Sequence, residues 1–292
     1  MTLKNKLEAG EFAILAEIEP PKGVDVSGML AGATRVKGLV DAFIVPEMSN
    51  AVMRMSALGA AMILQDKGLE TVMQICCRDR NRLALQADLL AADACGIHNV
   101  MAVIGEDPSY GDHHQARSVY DIDLMELLKV ATTLQSGKDM AGIDLVGAPR
   151  FLIGTTIDAG AQGKSPELVL EEMDQKREAG AQFFISPPLF DPKTIEPFIK
   201  RLDLNEVRII PTVLLLKSVG MARYITRNLK HIHIPESLIE RIQKSKDKGQ
   251  ACIQIASEMV TALKQRGFSG VLISTMGWED KLPEIIRQTR GD

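Results

Sequence analysis

Short apolar runs alternate along this chain with longer segments whose apolar residues recur at helical spacing. The first run begins at Phe12 and ends before the breaker Pro20-Pro21-Lys22-Gly23. Runs of about four to eight apolar residues are typical of strands buried on both faces, since such strands have no polar side to alternate with. The other predicted strands span residues 42–45, 71–77, 99–104, 151–157, 183–186, 208–216 and 270–275.

Amphipathic helices are predicted between these strands. Ser27 stands where an N-cap is expected, Asp79 or Asn81 can cap another helix, and Ser165-Pro166 begins a further helix with proline in its first turn. Residues 138–150 have no such pattern and are predicted to be a loop. The predicted helices cover residues 27–37, 53–66, 82–94, 121–135, 192–201, 219–229, 235–246, 250–266 and 281–288, with one more starting at Ser165.

About eight strand-then-helix units in this order predict a parallel sheet whose outer face is covered by helices. A chain of 292 residues with this count is typical of a (β/α)8 TIM barrel, here with extra helices. A doubly wound open sheet is the alternative. Because no long linker or break in composition divides the chain, residues 1–292 are predicted to form a single domain.

Composition narrows the class of protein. The chain is 46% hydrophobic and carries a formal net charge of -4, so it has an ample core and no basic footprint for nucleic acid. No apolar run reaches the roughly 18 residues of a membrane span. Residues 1–10 are polar and lack the apolar core of a signal peptide, which favours a cytoplasmic protein.

The cysteines and histidines give no pattern of metal ligands. Cys76 and Cys77 are adjacent, while Cys95 and Cys252 are isolated, and no histidine lies at ligand spacing from any of the four. Zinc and iron–sulfur sites need paired cysteine or histidine ligands at short spacing. We therefore expect reduced thiols and no metal.

Polar residues collect where the predicted strands end, which is the end of a (β/α)8 barrel that carries the active site. Glu17 and Glu19 close the first strand at alternate positions, so both are expected to point to one side. Burying an unpaired carboxyl group is costly, so each acid has either a salt bridge or a raised pKa suited to a general acid. The other strand ends carry Glu47, residues 76–81, Gly105-Glu106-Asp107, residues 155–163, Ser186-Pro187 and Lys217-Ser218.

Four motifs follow one another along the chain at a characteristic spacing. They are Glu17-Ile18-Glu19-Pro20-Pro21, Cys77-Arg78-Asp79-Arg80-Asn81, Ala102-Val103-Ile104-Gly105-Glu106-Asp107, and Lys176-Arg177-Glu178-Ala179-Gly180-Ala181-Gln182-Phe183-Phe184. With them the chain resembles the methylenetetrahydrofolate reductase family over nearly its whole length. The resemblance implies a flavin bound across the C-terminal strand ends of a barrel. It also implies the reversible reduction of 5,10-methylene-tetrahydrofolate, or a related tetrahydropterin, to the 5-methyl form.

The resemblance gives Glu17 the role of general acid, which agrees with the position of this carboxyl group at a strand end. Protonation of N10 opens the five-membered ring of the substrate to an iminium, and the flavin supplies hydride from N5. The resemblance implies a second catalytic residue in Glu106, which falls where the family usually has an aspartate beside the flavin ring and close to the pterin. A carboxylate there would disfavour the anionic reduced flavin and favour cationic forms of the substrate. Asp107 is the alternative for that role.

The resemblance also implies the contacts of the cofactor, which is expected to be FAD. FMN stays open, because the sequence has no adenine-specific motif. Lys176 would pair with the cofactor phosphate, and Asp158 would lie near the ribityl chain. The positions expected to contact flavin are Gln74, Cys76, Gly105, Glu106, Asp107, Tyr120, Thr155, Thr156, Asp158, Lys176 and Ala181.

The expected substrate site combines Glu17 and Glu19 with two departures from the family pattern. Ser186-Pro187 stands where the family often has a folate-binding glutamine, and Val219 stands where it has a stacking aromatic residue. Both lie where pterin and NAD(P)H would share a site, so the electron donor is either NAD(P)H or a partner protein. The family resemblance further implies a homo-oligomer.

Two other functions fit a barrel of this kind. One is a flavin oxidoreductase of the proline dehydrogenase type, against which the pattern from Glu17 to Pro20-Pro21 argues. The other is a pterin-binding methyltransferase or a non-catalytic partner subunit, which would need a corrinoid or zinc partner. The absence of metal-ligand spacing in the sequence argues against that second function.

Overall fold

The computed structural model describes residues 1–290, so the last two residues of the predicted domain lie outside the described residues. Its strands pair in parallel and close into a barrel in chain order, with Ala13 of the first strand opposite Gly270 of the eighth. The (β/α)8 prediction is therefore confirmed, and the open sheet is excluded because it would leave two strand edges unpaired. The strands are β1 (Ala13–Glu17), β2 (Ala42–Val45), β3 (Thr71–Cys76), β4 (Asn99–Val103), β5 (Leu152–Thr156), β6 (Phe183–Pro188), β7 (Arg208–Leu214) and β8 (Gly270–Ser274).

Helices surround the barrel, and over residues 1–290 the α-helices outnumber the eight strands, so the predicted extra helices are present. Short 3₁₀ turns occur at Ser49–Ala51, Pro108–Tyr110, Pro192–Thr194 and Glu279–Lys281. Over residues 1–290, no helix combines the length and the apolar character that crossing a lipid bilayer requires. The α-helices are α1 (Leu3–Glu8), α2 (Ser27–Arg35), α3 (Ala57–Asp66), α4 (Arg82–Ala94), α5 (Leu124–Gln135), α6 (Pro166–Glu178), α7 (Glu196–Ile199), α8 (Val219–Asn228), α9 (Glu236–Lys244), α10 (Lys248–Gln265) and α11 (Leu282–Arg290).

The apolar residues form two cores that share the strands as a wall. One core lies inside the barrel and includes Leu15, Met101 and Phe183, whereas the other lies between the strands and the helices. Successive strand residues point to opposite faces of a sheet, so the apolar residues of such a strand enter the two cores in turn. This explains why the strands appear in the sequence as continuous apolar runs.

Helix α1 was not predicted, and it closes the N-terminal end of the barrel. Leu3 and Leu7, one helical turn apart, pack into the core inside the barrel. The N–H of Leu3 donates to Glu70 at 2.8 Å, and the side chain of Arg208 donates to the carbonyl of Leu7 at 3.3 Å. Two leucines in a polar segment of six residues are too few for a periodic signal.

Several predicted helix ends are corrected by capping. The helix predicted at 53–66 begins only at Ala57, because the hydroxyl of Ser56 accepts the N–H of Gly59 at 3.2 Å and sets its first turn. Ser27 is the first residue of α2 rather than its N-cap. Asn81 does cap α4, as predicted, and accepts the N–H of Ala84 at 3.1 Å.

The segment predicted as one helix at 192–201 is divided in the structure. A 3₁₀ turn at Pro192–Thr194 is followed by the one-turn helix α7. Pro197 lacks an N–H and lies in the first turn of α7, where proline is tolerated. Ser165 precedes α6 as predicted, yet its hydroxyl donates to Glu167 at 2.6 Å instead of capping the backbone.

The interior of the barrel has room for Phe183 only because residue 154 is glycine. A Cβ on Gly154 would overlap the ring of Phe183. We expect Gly154→Ala to lower the free energy of unfolding by about 1–3 kcal/mol, the usual cost of overpacking a core. Chemical denaturation measures this. Gly28 lies in α2 with open space around it, so Gly28→Ala should leave stability unchanged or raise it by up to ~1 kcal/mol. Equal effects of the two substitutions would contradict this account of the core.

Candidate active site

A cavity of about 470 Å³ opens at the C-terminal ends of the strands, and we call it the mouth cavity. Its wall alternates between apolar side chains from inside the barrel and polar groups from the strand ends, as is usual for small-molecule sites. All eight strands or the loops after them contribute. The lining residues are Glu17, Glu47, Ser49, Gln74, Met101, Val103, Ile104, Gly105, Glu106, Thr156, Ile185, Pro188, Thr212, Leu214, Leu272 and Ser274.

Glu17 is the last residue of β1 and places its carboxyl group in the wall of the mouth cavity. The hydroxyl of Ser274 donates to Oε1 at 2.9 Å. Among the side chains that the structure describes, no cation lies within salt-bridge distance of this carboxyl group. Burial raises the pKa of Glu17, the hydrogen bond from Ser274 opposes that rise, and the negative charges of Glu19 and Glu279 add to it.

Glu19 does not share the cavity with Glu17. The strand ends at Glu17, so the alternation that would put both carboxyl groups on one side does not continue to residue 19. Glu19 instead lines a separate groove beside Met29 and forms an ion pair with Arg54 at 2.8 Å. The salt-bridge alternative therefore holds for Glu19, and the raised pKa holds for Glu17.

Glu47 is a buried acid in the same wall to which the sequence analysis gave no role. Its Oε2 accepts the N–H of Ala57 at 2.7 Å, at the start of α3, and its Oε1 accepts from Arg80 at 3.1 Å. The backbone N–H of Glu47 donates to the side chain of Gln74 at 3.2 Å. Glu47 thus links the ends of β2 and β3, and its charge is compensated, unlike that of Glu17.

The turn after β4 brings Gly105, Cys76 and Tyr120 together. Gly105 has a φ of +88°, and a Cβ there would overlap the sulfur of Cys76. The thiol of Cys76 donates to the carbonyl of Ile104 at 3.2 Å, and the hydroxyl of Tyr120 donates to that of Gly105 at 3.3 Å. Burial raises the pKa of the Cys76 thiol to about 11, so this thiol is a structural hydrogen-bond donor and not a nucleophile.

Of the two adjacent acids after β4, only Glu106 lines the mouth cavity. Its side chain is 55% exposed, and its carboxylate lies 3.7 Å from the buried guanidinium of Arg78. Asp107 turns away, because its carboxylate accepts the N–H of Ser109 at 2.8 Å and caps the 3₁₀ turn at Pro108–Tyr110. The structure therefore places Glu106 rather than Asp107 beside the cavity.

The end of β5 contributes Thr156 to the cavity, whereas Thr155 is buried and donates to the carbonyl of Ala102 at 2.9 Å. Lys176 is not the solvated lysine of an ordinary helix surface. It is 4% exposed, and its ammonium group donates to the carbonyl of Thr156 and to Glu172.

Asp158 lies on the glycine-containing loop that follows β5. Its carboxylate forms an ion pair with Lys164 at 3.0 Å, and both side chains are about half exposed. The loop therefore presents Lys164 to solvent. It follows the end of β5, where Lys176 donates to the carbonyl of Thr156.

The residues at which the chain departs from the family pattern lie around the cavity rather than in its wall. Ser186 is buried, with its hydroxyl donating to the carbonyl of Pro187, and Pro188 is the member of this segment that lines the cavity. Val219 is the first residue of α8 and packs against the core outside the barrel.

Ala181 is separated from the other predicted flavin contacts. It lies in the loop before β6, at the N-terminal end of the barrel, and lines a different surface depression together with Arg177 and Arg208. A contact with a flavin at the mouth needs a residue at the opposite end of the strand. The structure therefore separates Ala181 from the mouth cavity by the length of β6.

Polar lining residues on β7 and β8 were missed by the sequence analysis. Thr212 and Ser274 look like single hydroxyl residues within apolar strands, and only the strand register turns them toward the mouth. Among residues 1–290, no group of three or more histidine, cysteine, aspartate or glutamate side chains is placed to hold a metal ion.

The family model of methylenetetrahydrofolate reductase matches residues 2–290. Methylenetetrahydrofolate reductase 2 of Schizosaccharomyces pombe is 24% identical over 210 residues, which is 69% of this chain and 32% of the yeast protein. The probable methylenetetrahydrofolate reductase (NADPH) of Caenorhabditis elegans is 22% identical over 240 residues, covering 78% of this chain and 33% of that protein. The chain thus spans about a third of the length of these curated relatives.

Solved structures with the same fold are more distant in sequence. A Clostridium thermocellum protein, uncharacterized and described as binding two copies of 5-methyl-5,6,7,8-tetrahydrofolic acid, superposes with a TM-score of 0.65 at 15% identity. The match covers 99% of this chain and 98% of that one. EDTA monooxygenase from Chelativorans sp. BNC1 superposes with a TM-score of 0.58 at 11% identity, covering 95% and 92% of the two chains.

The raised pKa of Glu17 predicts how a Glu17→Gln variant depends on pH. A folded-state pKa above the unfolded value means that the folded chain holds the proton more tightly, so wild-type stability falls as pH rises from the unfolded pKa through the folded one. Glu17→Gln lacks this loss. We expect its unfolding free energy to rise relative to that of wild type as the pH increases above 4.5, the ordinary pKa of glutamate, by about 1.4 kcal/mol for each tenfold change in proton affinity.

Urea denaturation at several pH values measures the difference, and Glu19→Gln is the matched control. Glu19 is partly exposed and paired with Arg54, so its replacement should change stability by no more than ~1 kcal/mol. A constant offset between Glu17→Gln and wild type across this pH range would show that burial does not perturb the Glu17 carboxyl group.

Proposed function

The chain belongs to the methylenetetrahydrofolate reductase family, and from this premise and the mouth cavity we propose that it reduces a methylene-tetrahydropterin to the 5-methyl form with a bound flavin. The observation that carries the proposal is the carboxyl group of Glu17, which is enclosed in the cavity wall with no cationic partner among the described side chains. Burying a carboxyl group without a cationic partner costs stability, and groups of this kind are concentrated at functional sites, where their protons take part in the reaction.

Glu17 suits the role of general acid because burial favours its neutral form. The leaving nitrogen N10 of the substrate takes the proton as its bond to the methylene carbon breaks, and the ring opens to an iminium. A general acid with a pKa raised toward the working pH is both protonated and able to give up its proton. Glu17 ends the step as a carboxylate, to which Ser274 donates a hydrogen bond.

The residues of the mouth cavity fit a flavin ring, which has broad apolar faces and a polar edge. Val103 and Ile104 offer apolar surface, while Gln74 and Thr156 offer polar groups to the edge. The side-chain oxygen of Gln74 already accepts the N–H of Glu47. Its NH₂ group contacts the sulfur of Met101 at 4.0 Å, and this group is the donor that we propose for the flavin edge. A bound flavin would supply hydride from N5 to the methylene carbon.

The flavin contacts that we retain are those at or beside the mouth. We propose that Gln74, Gly105, Glu106 and Thr156, which line the cavity, contact the flavin. Cys76, Thr155 and Tyr120 support this wall by hydrogen bonds to the end of β4 and the turn after it. Asp107 and Ala181 are left out of the proposed site.

The loop after β5 is the proposed place for the cofactor phosphate. Lys176 donates to Thr156 and Glu172 with two of its three N–H groups, which leaves one donor for a phosphate at the strand end. Lys164 is 54% exposed on its side chain and lies on the same loop, paired with Asp158. FAD is the cofactor that the family membership favours.

Tetrahydrofolate is the favoured class of pterin, and its binding is supported by the Clostridium thermocellum neighbour that binds 5-methyl-5,6,7,8-tetrahydrofolic acid. We place the pterin on the side of the cavity formed by Glu17, Pro188 and Thr212. Ser186, Pro187 and Val219 do not line the cavity, and Val219 packs against the core outside the barrel. None of these three is a glutamine or an aromatic residue, so the electron donor is either NAD(P)H or a partner protein, as the departures from the family pattern imply.

Replacing Glu17 should separate chemistry from cofactor binding. We expect Glu17→Gln to lower pterin turnover by about 10²–10⁴-fold, the usual contribution of a general acid, while the affinity for flavin changes less than twofold. Steady-state assays and flavin titration measure the two effects. Glu19→Gln removes a neighbouring carboxyl group outside the cavity and should keep most of the activity. Unchanged turnover in Glu17→Gln would remove this residue from the mechanism.

The absorbance spectrum of the purified protein tests the proposed cofactor directly. We expect flavin bands, with chromatography of the released chromophore distinguishing FAD from FMN. Bleaching by NADH or NADPH would identify a self-sufficient reductase, whereas a bound flavin that neither nucleotide bleaches would indicate delivery by a partner protein. A colourless protein that takes up neither FAD nor FMN on reconstitution would refute the proposed function.

A further inference from the structure

Ser274 is the only described side chain that hydrogen-bonds to the Glu17 carboxyl group, across the seam where the last strand meets the first. Its hydroxyl lies 2.9 Å from Oε1 of Glu17. Ser274 is 6% exposed and is the last residue of β8. Both residues border the mouth cavity, so this hydrogen bond forms part of the wall that a substrate would touch.

The backbone holds Ser274 in place independently of Glu17. Ser274 pairs with Leu214 in the register of β7 and β8, and its carbonyl accepts the N–H of Leu215 at 2.9 Å. A strand residue anchored in this way has a small choice of side-chain directions. The hydroxyl therefore acts as a fixed donor against a carboxyl group that has no other anchor.

We propose that Ser274 is a positioning residue for Glu17. The hydroxyl of Ser274 donates to Oε1 of Glu17 and keeps that oxygen an acceptor, so that Oε2 carries the proton to be donated. The inference rests on the proposed function of Glu17 as general acid. A carboxylic acid has one protonated and one carbonyl oxygen, and a hydroxyl donor selects the carbonyl oxygen as its acceptor. After proton transfer, the same donor faces a carboxylate and becomes a stronger, charge-assisted hydrogen bond.

Other charges around Glu17 act in the opposite direction to Ser274. Glu19, just after β1, and Glu279, in the 3₁₀ turn after β8, both disfavour a second negative charge on Glu17. Across the cavity, Glu47 is neutralised by Arg80.

Two further charged groups near the mouth cavity are engaged with partners other than Glu17. Glu106 lies near Arg78, and Lys217, on the loop after β7, donates to the carbonyl of Met276. Ser274 is thus the group that stabilises the ionised form of Glu17, and removing it leaves the acidic neighbours unopposed.

Isotope-edited infrared spectroscopy of the protonated carboxyl band, with ¹³C-labelled glutamate, tests the inference without any substrate. Wild type should show a band that titrates and that is missing in Glu17→Gln. In Ser274→Ala we expect the band at higher frequency, because its carbonyl loses a donor, and a midpoint at least about half a pH unit higher, a roughly threefold weaker acid. Pterin turnover should fall about tenfold, with its alkaline limb moved in the same direction.

Two further variants separate positioning from packing. Ser274→Thr keeps the hydroxyl and should restore the wild-type band and midpoint. Thr212→Val removes a hydroxyl that faces the same cavity but donates to the carbonyl of Ser186, so it should leave the Glu17 band unchanged. A Thr212→Val variant that shifts the band as much as Ser274→Ala would overturn the inference.

The inference and the proposed function fail in different ways. An unchanged frequency and midpoint in Ser274→Ala, in a protein whose pterin turnover still depends on Glu17, would overturn the role of Ser274 alone. A different outcome combines a shifted band in Ser274→Ala with a wild-type protein that has neither flavin nor pterin turnover. It would overturn the proposed function and leave the coupling of the two residues standing.

Discussion

The pairing of β8 with β1 closes the barrel, and the mouth cavity exists because of it. Backbone hydrogen bonds along this seam bring Ala13–Ala16 beside Gly270–Ile273, two segments at opposite ends of the chain. At the top of the same seam Glu17 and Ser274, separated by 257 positions in sequence, come within hydrogen-bond distance. The closure of the sheet thus has a direct chemical consequence, since a carboxyl group otherwise without a partner acquires one fixed donor.

Acidic side chains at this end of the barrel have different environments, and the difference distinguishes structural from chemical roles. Glu47 is buried but bound by Arg80 and by the N-terminus of α3, so its charge stabilises the arrangement of β2 and β3. Glu19 is partly exposed and paired with Arg54. Glu17 has burial without a cation, and a proton is the remaining means of neutralising it. These physical differences, more than the residue type, single out Glu17.

Close packing beneath and beside the cavity restricts what the wall can be made of. Phe183 fills the barrel interior against Gly154, and Cys76 contacts Gly105 so closely that neither glycine can carry a Cβ. Protein interiors have the density of organic crystals and transmit such constraints over several residues. The carbonyls of Ile104 and Gly105, held by Cys76 and Tyr120, owe their positions to this packing.

The sequence by itself determined the class of fold, because strands buried on both faces leave continuous apolar runs that local chemistry alone makes recognisable. It also placed Glu17 and Glu106 at strand ends, which in a parallel barrel meet at one rim. Tertiary structure decided which neighbours compensate each charge. It separated Glu19 from Glu17 and Asp107 from Glu106, moved Ala181 to the far end, buried Lys176 and turned Ser274 toward Glu17. Helix α1 was also beyond the sequence, since Leu3 and Leu7 acquire meaning only from the open barrel end they cover. Strand register and closure couple residues far apart in the chain, and no local pattern encodes such contacts.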